Sequence, residues 1–175
     1  LNISFNAARA AHHEFLTPEH LLNSALEFEG VCTLLAQSGG DIDFIRKNVR
    51  GYLDNTVPVI AAETDVSREY EPVETRGFQS VMNRALQHCA SADKTTVDIT
   101  DVLVSMIDEE NNYCAYYLKK GGVNRLRLLE TVSSMKNAED AQKAANASDD
   151  ADTSVPDANA KKSALERFCT DLTEQ

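Results

Sequence analysis

The spacing of apolar residues over the first 135 positions is typical of amphipathic helices. Leu21, Leu22, Ala25 and Leu26 follow one another at intervals that bring them onto one face of a helix. Thr17 stands just before this stripe and is followed by a proline and a carboxylate, which together make a strong helix start. Further stripes of the same kind occur along this part of the chain. We therefore predict an all-α fold with about eight helices.

The helical pattern occurs twice. Cys32–Gly40 and Cys114–Gly122 each contain a cysteine, a helical stretch and a closing pair of glycines. One residue off the register that aligns the glycine pairs, Asp43 corresponds to Asn124, and both are expected to cap the helices that follow. Thr100 is expected to cap another helix of the second half. Two four-helix repeats of this kind are expected to pack against each other as a pseudo-twofold pair.

The composition changes near residue 136. The next stretch is rich in Ala and acidic residues, and Val155 is its one large aliphatic residue. Such a stretch buries too little apolar surface to offset the entropy of ordering it. Helical spacing resumes at the end of the chain. The expected organisation is a first repeat over 1–54, a connecting loop over 55–74, a second repeat over 75–135, a flexible acidic linker over 136–160 and the start of another module over 161–175.

The charge of the chain narrows the possible functions. Its 175 residues include 17 Lys and Arg against 28 Asp and Glu, for a net charge of −11. This balance argues against a nucleic-acid interface, which needs cations for phosphates, and favours basic partners. No apolar run approaches the roughly 20 residues that span a bilayer. The four cysteines lack a Cys-x-x-Cys pair and are expected to be reduced thiols of a cytoplasmic protein.

Motifs for nucleotide or hydrolytic chemistry are absent from the sequence. None of its seven glycines precedes a lysine, which excludes a phosphate-binding loop of the Gly-x-x-x-x-Gly-Lys type. His13 and Glu14 begin a His-Glu-x-x-His pattern that the following residues do not complete. The Tyr113, Tyr116 and Tyr117 group has helical spacing and is expected to belong to the core.

The densest polar cluster runs from His12 to His20 and admits three interpretations. It could be an exposed acidic docking site, a metal site through His13 and a carboxylate, or an ordinary helix start. In the third case Glu19 stabilises the helix N-terminus, His20 packs toward the core, and His12 and His13 are solvated. Thr75 similarly precedes a helix and serves either as a plain cap or as a contact residue.

The sequence resembles a known family at two places. Ala10–Leu22 resembles the first Clp repeat motif and Gly77–Ala85 the second, and the match extends over residues 2–135. Within that family the chain is most similar to the ClpA type, the unfoldase subunit of the Clp protease. Residues 164–174 are similar to the segment that opens the first AAA+ module of such proteins.

This resemblance implies a docking function. Domains of this type bind protein substrates and the small adaptor ClpS, and the adaptor contacts correspond here to Glu14, Glu19 and Thr75. A zinc ion seen in the family corresponds to His13, which is a weak metal candidate only. For the full-length protein the resemblance implies ATP and magnesium, a hexameric ring and a protease subunit as partner. Neither nucleic acid nor membrane is an expected partner.

Two other functions compete with docking of an adaptor. The first is general, chaperone-like binding of unfolded polypeptides through an apolar surface. The second is a metal-dependent helical enzyme. Binding to a folded adaptor and dependence on a metal ion, respectively, distinguish them from the docking hypothesis.

Overall fold

The computed structural model describes residues 1–60, 70–92, 94–109 and 112–146, with side chains as far as Met135. Its architecture is all-α, as the apolar spacing predicts. In chain order, the elements are α1 (Asn2–Ala10), β1 (Phe15–Leu16), α2 (Pro18–Ala25), α3 (Glu29–Gln37), α4 (Ile42–Thr56), β2 (Val73–Glu74), α5 (Arg76–Ser91), α6 (Ile99–Asp108), α7 (Tyr113–Lys120) and α8 (Arg125–Asn146).

The core lies between the two sets of helices. The predicted stripe of α2 is buried along its length, and the α4 residues Ile45 and Val49 are fully buried with Leu103 of α6 and Leu118 of α7. Each such side chain contributes about 1.5–3 kcal/mol by leaving water. Because both repeats supply these side chains, neither repeat has a complete core of its own.

The two repeats meet at a symmetric junction. The Asp41 amide donates to the Gly121 carbonyl at 2.7 Å, and the Asn124 amide donates to the Ser38 carbonyl at 3.2 Å. Gly39 and Gly122 each have a left-handed backbone at this junction, with φ of +92° and +93°. These contacts confirm the pseudo-twofold relation. They also show that the direct alignment of the two glycine pairs is wrong by one residue. Gly39 corresponds to Gly122, the second glycine of the later pair.

Two helices begin earlier than their apolar stripes suggest. The expectation that Asp43 caps α4 is wrong, because the Asp41 carboxylate accepts from the Phe44 amide at 3.0 Å. The expectation that Thr100 caps α6 is also wrong. Asp98 accepts from the Thr100 amide at 2.9 Å and therefore occupies the cap position. In both cases an acidic residue just upstream has the extended backbone that a cap requires.

A small sheet joins the repeats, and the helical pattern did not predict it. β1 pairs in parallel with β2, with Phe15 opposite Val73, while His13 forms an isolated antiparallel bridge with Val59. The segment expected to be a plain loop over 55–74 thus contributes an extended stretch at each end. Its middle, residues 61–69, lies outside the described residues.

The compact unit comprises Leu1–Asn137, and α8 continues beyond it to Asn146. The rest of the predicted linker and the segment 161–175 lie outside the described residues. Within the described residues, no helix is both long and apolar enough to cross a membrane. Cys32, Cys89 and Cys114 are free thiols as expected, and Cys169 falls outside the described part of the chain.

Candidate functional site

Glu14 lies in the short extended segment between α1 and α2, and its side chain is exposed. The backbone on which it stands is held from both sides. The Glu14 amide donates to the Pro58 carbonyl at 2.8 Å, and the Glu14 carbonyl accepts from the Val73 amide at 3.0 Å. Because both backbone groups are bonded to neighbouring segments, the carboxylate is presented from a well-defined position.

Two exposed apolar side chains accompany Glu14. Val59 is 60% exposed and Val73 is 59% exposed, and both belong to the segments that hold the Glu14 backbone. We call Glu14, Val59 and Val73 the Glu14 patch. Burial and the nearby Glu14 carboxylate raise the pKa of Tyr70, which adjoins the patch. Apolar surface beside a charge is typical of a site that binds another protein.

Glu19 is not an exposed acid. It is 2% exposed, so the interpretation of the His12–His20 cluster as an exposed acidic site is wrong at this position. The Glu19 carboxylate lies beside the Cys114 side chain of α7, where burial and then the Glu19 charge raise the pKa of the thiol. Burial, followed by the Glu19 carboxylate, raises the pKa of Tyr52 to about 12 and raises that of Tyr117. The second repeat therefore buries Glu19, and the local pattern of a helix start contains no information about that repeat.

Thr75 joins the sheet to α5. Its hydroxyl accepts from the Phe78 amide at 3.3 Å and donates to the Leu16 carbonyl at 3.1 Å. Its amide donates to the same carbonyl at 3.0 Å. The structure therefore confirms Thr75 as a helix cap. Its role in adaptor binding stays a prediction, as do those of Glu14 and Glu19.

His13 and His20 form a buried pair beside the Glu14 patch, at 6% and 2% exposure. Nδ1 of His13 lies 2.8 Å from Nε2 of His20, and the Thr17 amide donates to Nδ1 of His20 at 3.1 Å. His20 packs toward the core as expected. The expectation of a solvated His13 is wrong, because its ring is bonded to a residue of the core.

Burial lowers the pKa of both rings. That of His20 falls to about 4, with His13 adding to the effect, while Asp54 partly opposes the lowering at His13. Both rings are therefore neutral near pH 7. No group of three or more His, Cys, Asp or Glu residues that could hold a metal ion occurs in the described ranges. The weak metal candidate His13 thus has a second histidine as its partner, not a full ligand set.

The tyrosines of α7 are more exposed than expected. Tyr113 and Tyr116 are 54% and 51% exposed, so the expectation that they belong to the core is wrong. Tyr52 lies against Tyr113, with ring centroids 4.8 Å apart. The buried face of α7 is instead formed by Cys114 and Leu118.

Sequence reasoning missed the apolar part of the Glu14 patch. Val59 and Val73 lie in a segment without helical spacing. A signal was nevertheless present, because each valine follows a proline, Pro58 or Pro72. A β-branched residue after proline in a non-helical segment favours an extended backbone. Which strand it pairs with is decided by the tertiary structure.

Comparison with known proteins identifies a family that covers most of the helical unit. Residues 1–121 match the family model of the Clp repeat (R) N-terminal domain. The chain is similar to the "ClpA homolog protein" of Fuscovulum blasticum, with 26% identity over 170 residues, 94% of this chain and 21% of the relative. The chain therefore spans about a fifth of the length of this curated relative.

Solved structures share the fold at low sequence identity. The Hsp104 N-terminal domain from Candida albicans superposes with a TM-score of 0.63 and 14% identity, over 77% of this chain and 85% of that one. A structure described as part of "a malarial protein secretion system" gives a TM-score of 0.61 and 14% identity, over 77% and 87%. At this identity the likeness concerns the fold alone.

Proposed function

Since this chain belongs to the Clp repeat N-terminal domain family, we propose that it is the adaptor- and substrate-docking domain of a ClpA-like unfoldase. The observation that carries the proposal is the Glu14 patch. An exposed carboxylate stands on a backbone bonded on both sides, between two valines that are each more than half exposed. Such a surface combines electrostatic steering of a basic partner with apolar burial on contact.

The proposal gives different tasks to the three residues that the resemblance implicates. Glu14 contacts the adaptor directly. Thr75 positions the sheet that presents Glu14, because its hydroxyl and its amide both donate to the Leu16 carbonyl. Glu19 acts from within the fold, where its buried carboxylate lies beside Cys114 of the second repeat.

The whole protein, in this proposal, is an ATP-dependent ring that unfolds docked proteins for a protease subunit. ATP, magnesium, the hexameric assembly and the protease contact belong to the remaining length of such a protein, because this chain covers 21% of its ClpA relative. The sequence offers no phosphate-binding loop for the nucleotide. The contribution of this chain is to bind proteins.

The proposal is tested by titrating the chain with a ClpS-like adaptor. Glu14→Arg is expected to weaken binding at least about tenfold at low salt, because the substitution reverses the charge at the contact. The matched control is Glu130→Arg, a reversal of another exposed acid on α8. Circular dichroism verifies that both variants are folded. Equal affinity of Glu14→Arg and the unsubstituted chain would reject the Glu14 patch as the docking surface.

A second pair of variants tests the apolar part of the patch. Val73→Ser removes exposed apolar surface beside Glu14, and Leu126→Ser removes a side chain that is 63% exposed on α8. Only the first is expected to weaken adaptor binding. A reduced, permanently unfolded protein serves as a parallel ligand. If it binds the chain as well as the adaptor does, and Glu14→Arg affects neither, chaperone-like binding is the better description.

A further inference from the structure

A cavity of about 240 Å³ opens between α1, α2 and α4. Five of its lining residues have polar or charged side chains: His13, His20, Asn23, Arg50 and Asp54. Ala7, Ala11 and Leu53 complete the lining, and the small alanine side chains leave the space open. The cavity does not include any member of the Glu14 patch.

The charged groups of the cavity are one cation and one anion. Arg50 and Asp54 lie one turn apart on α4, where an ion pair between them would be easy to form. Neither residue takes part in an ion pair with the other or with any residue that the structure describes. Burial lowers the pKa of His13, and Asp54 lies close enough to that ring to oppose part of the lowering. Opposite charges thus face one cavity without neutralising each other.

The neutral groups supply one donor and one acceptor. The Thr17 amide donates to Nδ1 of His20, so the proton of the neutral His20 ring sits on Nε2. That proton is donated to Nδ1 of His13, which leaves the His13 proton on Nε2. The acceptor is the buried Oδ1 of Asn23, which accepts no hydrogen bond from any described residue. A buried acceptor without a partner is costly.

We propose that this cavity binds a primary ammonium group together with the carbonyl or carboxylate oxygen next to it, the chemistry of a free α-amino end. The ammonium donates to Asp54 and to Oδ1 of Asn23. The adjacent oxygen accepts from Arg50 and from Nε2 of His13. Two donors and two acceptors are then satisfied at once, and the apolar residues Ala7, Ala11 and Leu53 receive a small aliphatic side chain.

Other occupants match the cavity less well. A simple anion leaves Asp54 and Asn23 without a donor, and a metal ion finds no group of three ligands among the described residues. Water alone fits the volume, since each molecule takes about 30 Å³, and it can solvate Arg50 and Asp54, which are both exposed. Water does not, however, bring a charge opposite to either side chain. The α-amino end is available from two sources, a free amino acid or the first residue of a polypeptide. The inference does not depend on adaptor docking.

The experiment titrates the full 175-residue chain with three probes: L-valine, valyl-glycine amide and N-acetyl-valyl-glycine amide. Binding is followed by the imidazole ¹⁵N signals of His13 and His20, which report the tautomer as well as the contact. Both rings are expected to carry their proton on Nε2 before addition. The free-amine peptide, the free amino acid, or both should shift the His13 signal, and this comparison identifies the source. Equal binding of the acetylated peptide, or no response to any probe, overturns the proposal.

Variants then test the assignment of groups. Asp54→Asn removes the anion with little change of shape and is expected to weaken binding of the responsive probe at least about tenfold. Asp43→Asn on the same helix serves as the control, because Asp43 is exposed and lies outside the cavity. Arg50→Gln and Lys47→Gln form a second matched pair. An affinity that is unchanged in both Asp54→Asn and Arg50→Gln overturns the proposal.

Discussion

Glu14 and Glu19 flank the same strand and helix start, yet their environments are opposite. Glu14 is exposed, whereas Glu19 is 2% exposed and lies beside Cys114 of the second repeat. A substitution at each position therefore tests a different property. At Glu14 it tests a surface contact, and at Glu19 it also tests the packing of α2 on α7.

Charge reversal should separate the two residues by stability. Glu14→Arg is expected to stay within about 0.5 kcal/mol of the original free energy of unfolding, because exposed positions tolerate substitution. Glu19→Arg is expected to lose more than about 3 kcal/mol, since a long cation must replace a carboxylate in a closed site. Urea unfolding of both variants measures the difference. Equal losses would show that Glu19 is accessible to solvent.

The buried histidine pair predicts a dependence of stability on pH. The pKa of His20 is lowered to about 4 in the folded chain, whereas in the unfolded chain it lies near 6.5. Between these values the unfolded state binds more protons, so the free energy of unfolding rises with pH. The stabilisation is complete above about pH 6.5 and falls by about 2–3 kcal/mol as the pH approaches 4.

His20→Gln isolates this effect from the titration of carboxylates. Glutamine retains an acceptor for the Thr17 amide at this helix start, but it does not titrate. The expected result is a shallower pH dependence in the variant than in the original chain over pH 4 to 6.5, measured by urea unfolding. Parallel curves would mean that His20 is not held neutral by the fold.

At the scale of elements, the junction between α3 and α4 mirrors the one between α7 and α8. Each contains a glycine with positive φ, and the two glycines contact each other. A Cβ on Gly122 would lie 2.6 Å from the Gly39 carbonyl oxygen. Glycine is therefore required at this position for two reasons, the backbone conformation and the space between the repeats.

Gly122→Ala and Gly51→Ala should change stability in opposite directions. The first is expected to lower the free energy of unfolding by about 2 kcal/mol or more, from left-handed strain and the contact with backbone. Gly51 lies inside α4 with open space around it, so alanine there should add about 0.5–1 kcal/mol. Thermal or urea unfolding gives both values. A neutral Gly122→Ala would contradict the close approach of the repeats.

At the scale of the whole molecule, one core is shared by two repeats. Buried side chains of α2 and α4 lie in the same cluster as those of α6 and α7. The compact unit ends at Asn137, within α8. The repeats are consequently one folding unit, although the sequence pattern divides them into two similar halves.

A fragment of residues 1–137 is expected to unfold in a single cooperative transition without nucleotide, and its midpoint should be unchanged by EDTA. Fragments 1–60 and 70–137 should each fail to fold alone, because each lacks half of the shared core. Circular dichroism during heating checks all three. Cooperative folding of either half, or a midpoint of 1–137 that collapses with chelator, would contradict this description.

The sequence by itself determined the helical elements, their order and their duplication. Apolar spacing, caps and closing glycines act within a few residues, so the stripe of α2 and the caps at Thr75 and Asn124 could be identified directly. The resemblance to Clp repeats rests on the same local motifs. Errors at this level were small, such as the one-residue shift in the pairing of Gly39.

Tertiary structure alone decided which side chains are available for function. Glu19 and His13 are buried and Tyr113 is exposed, because burial depends on residues that are distant in the sequence. The presentation of Glu14 likewise needs Val73 of the sheet and Val59 of the isolated bridge, which come from separate segments. The spacing of apolar and capping residues within a segment predicts which secondary structure that segment can form. Exposure is a property of the assembled repeats, since it depends on what the opposite repeat places against that segment.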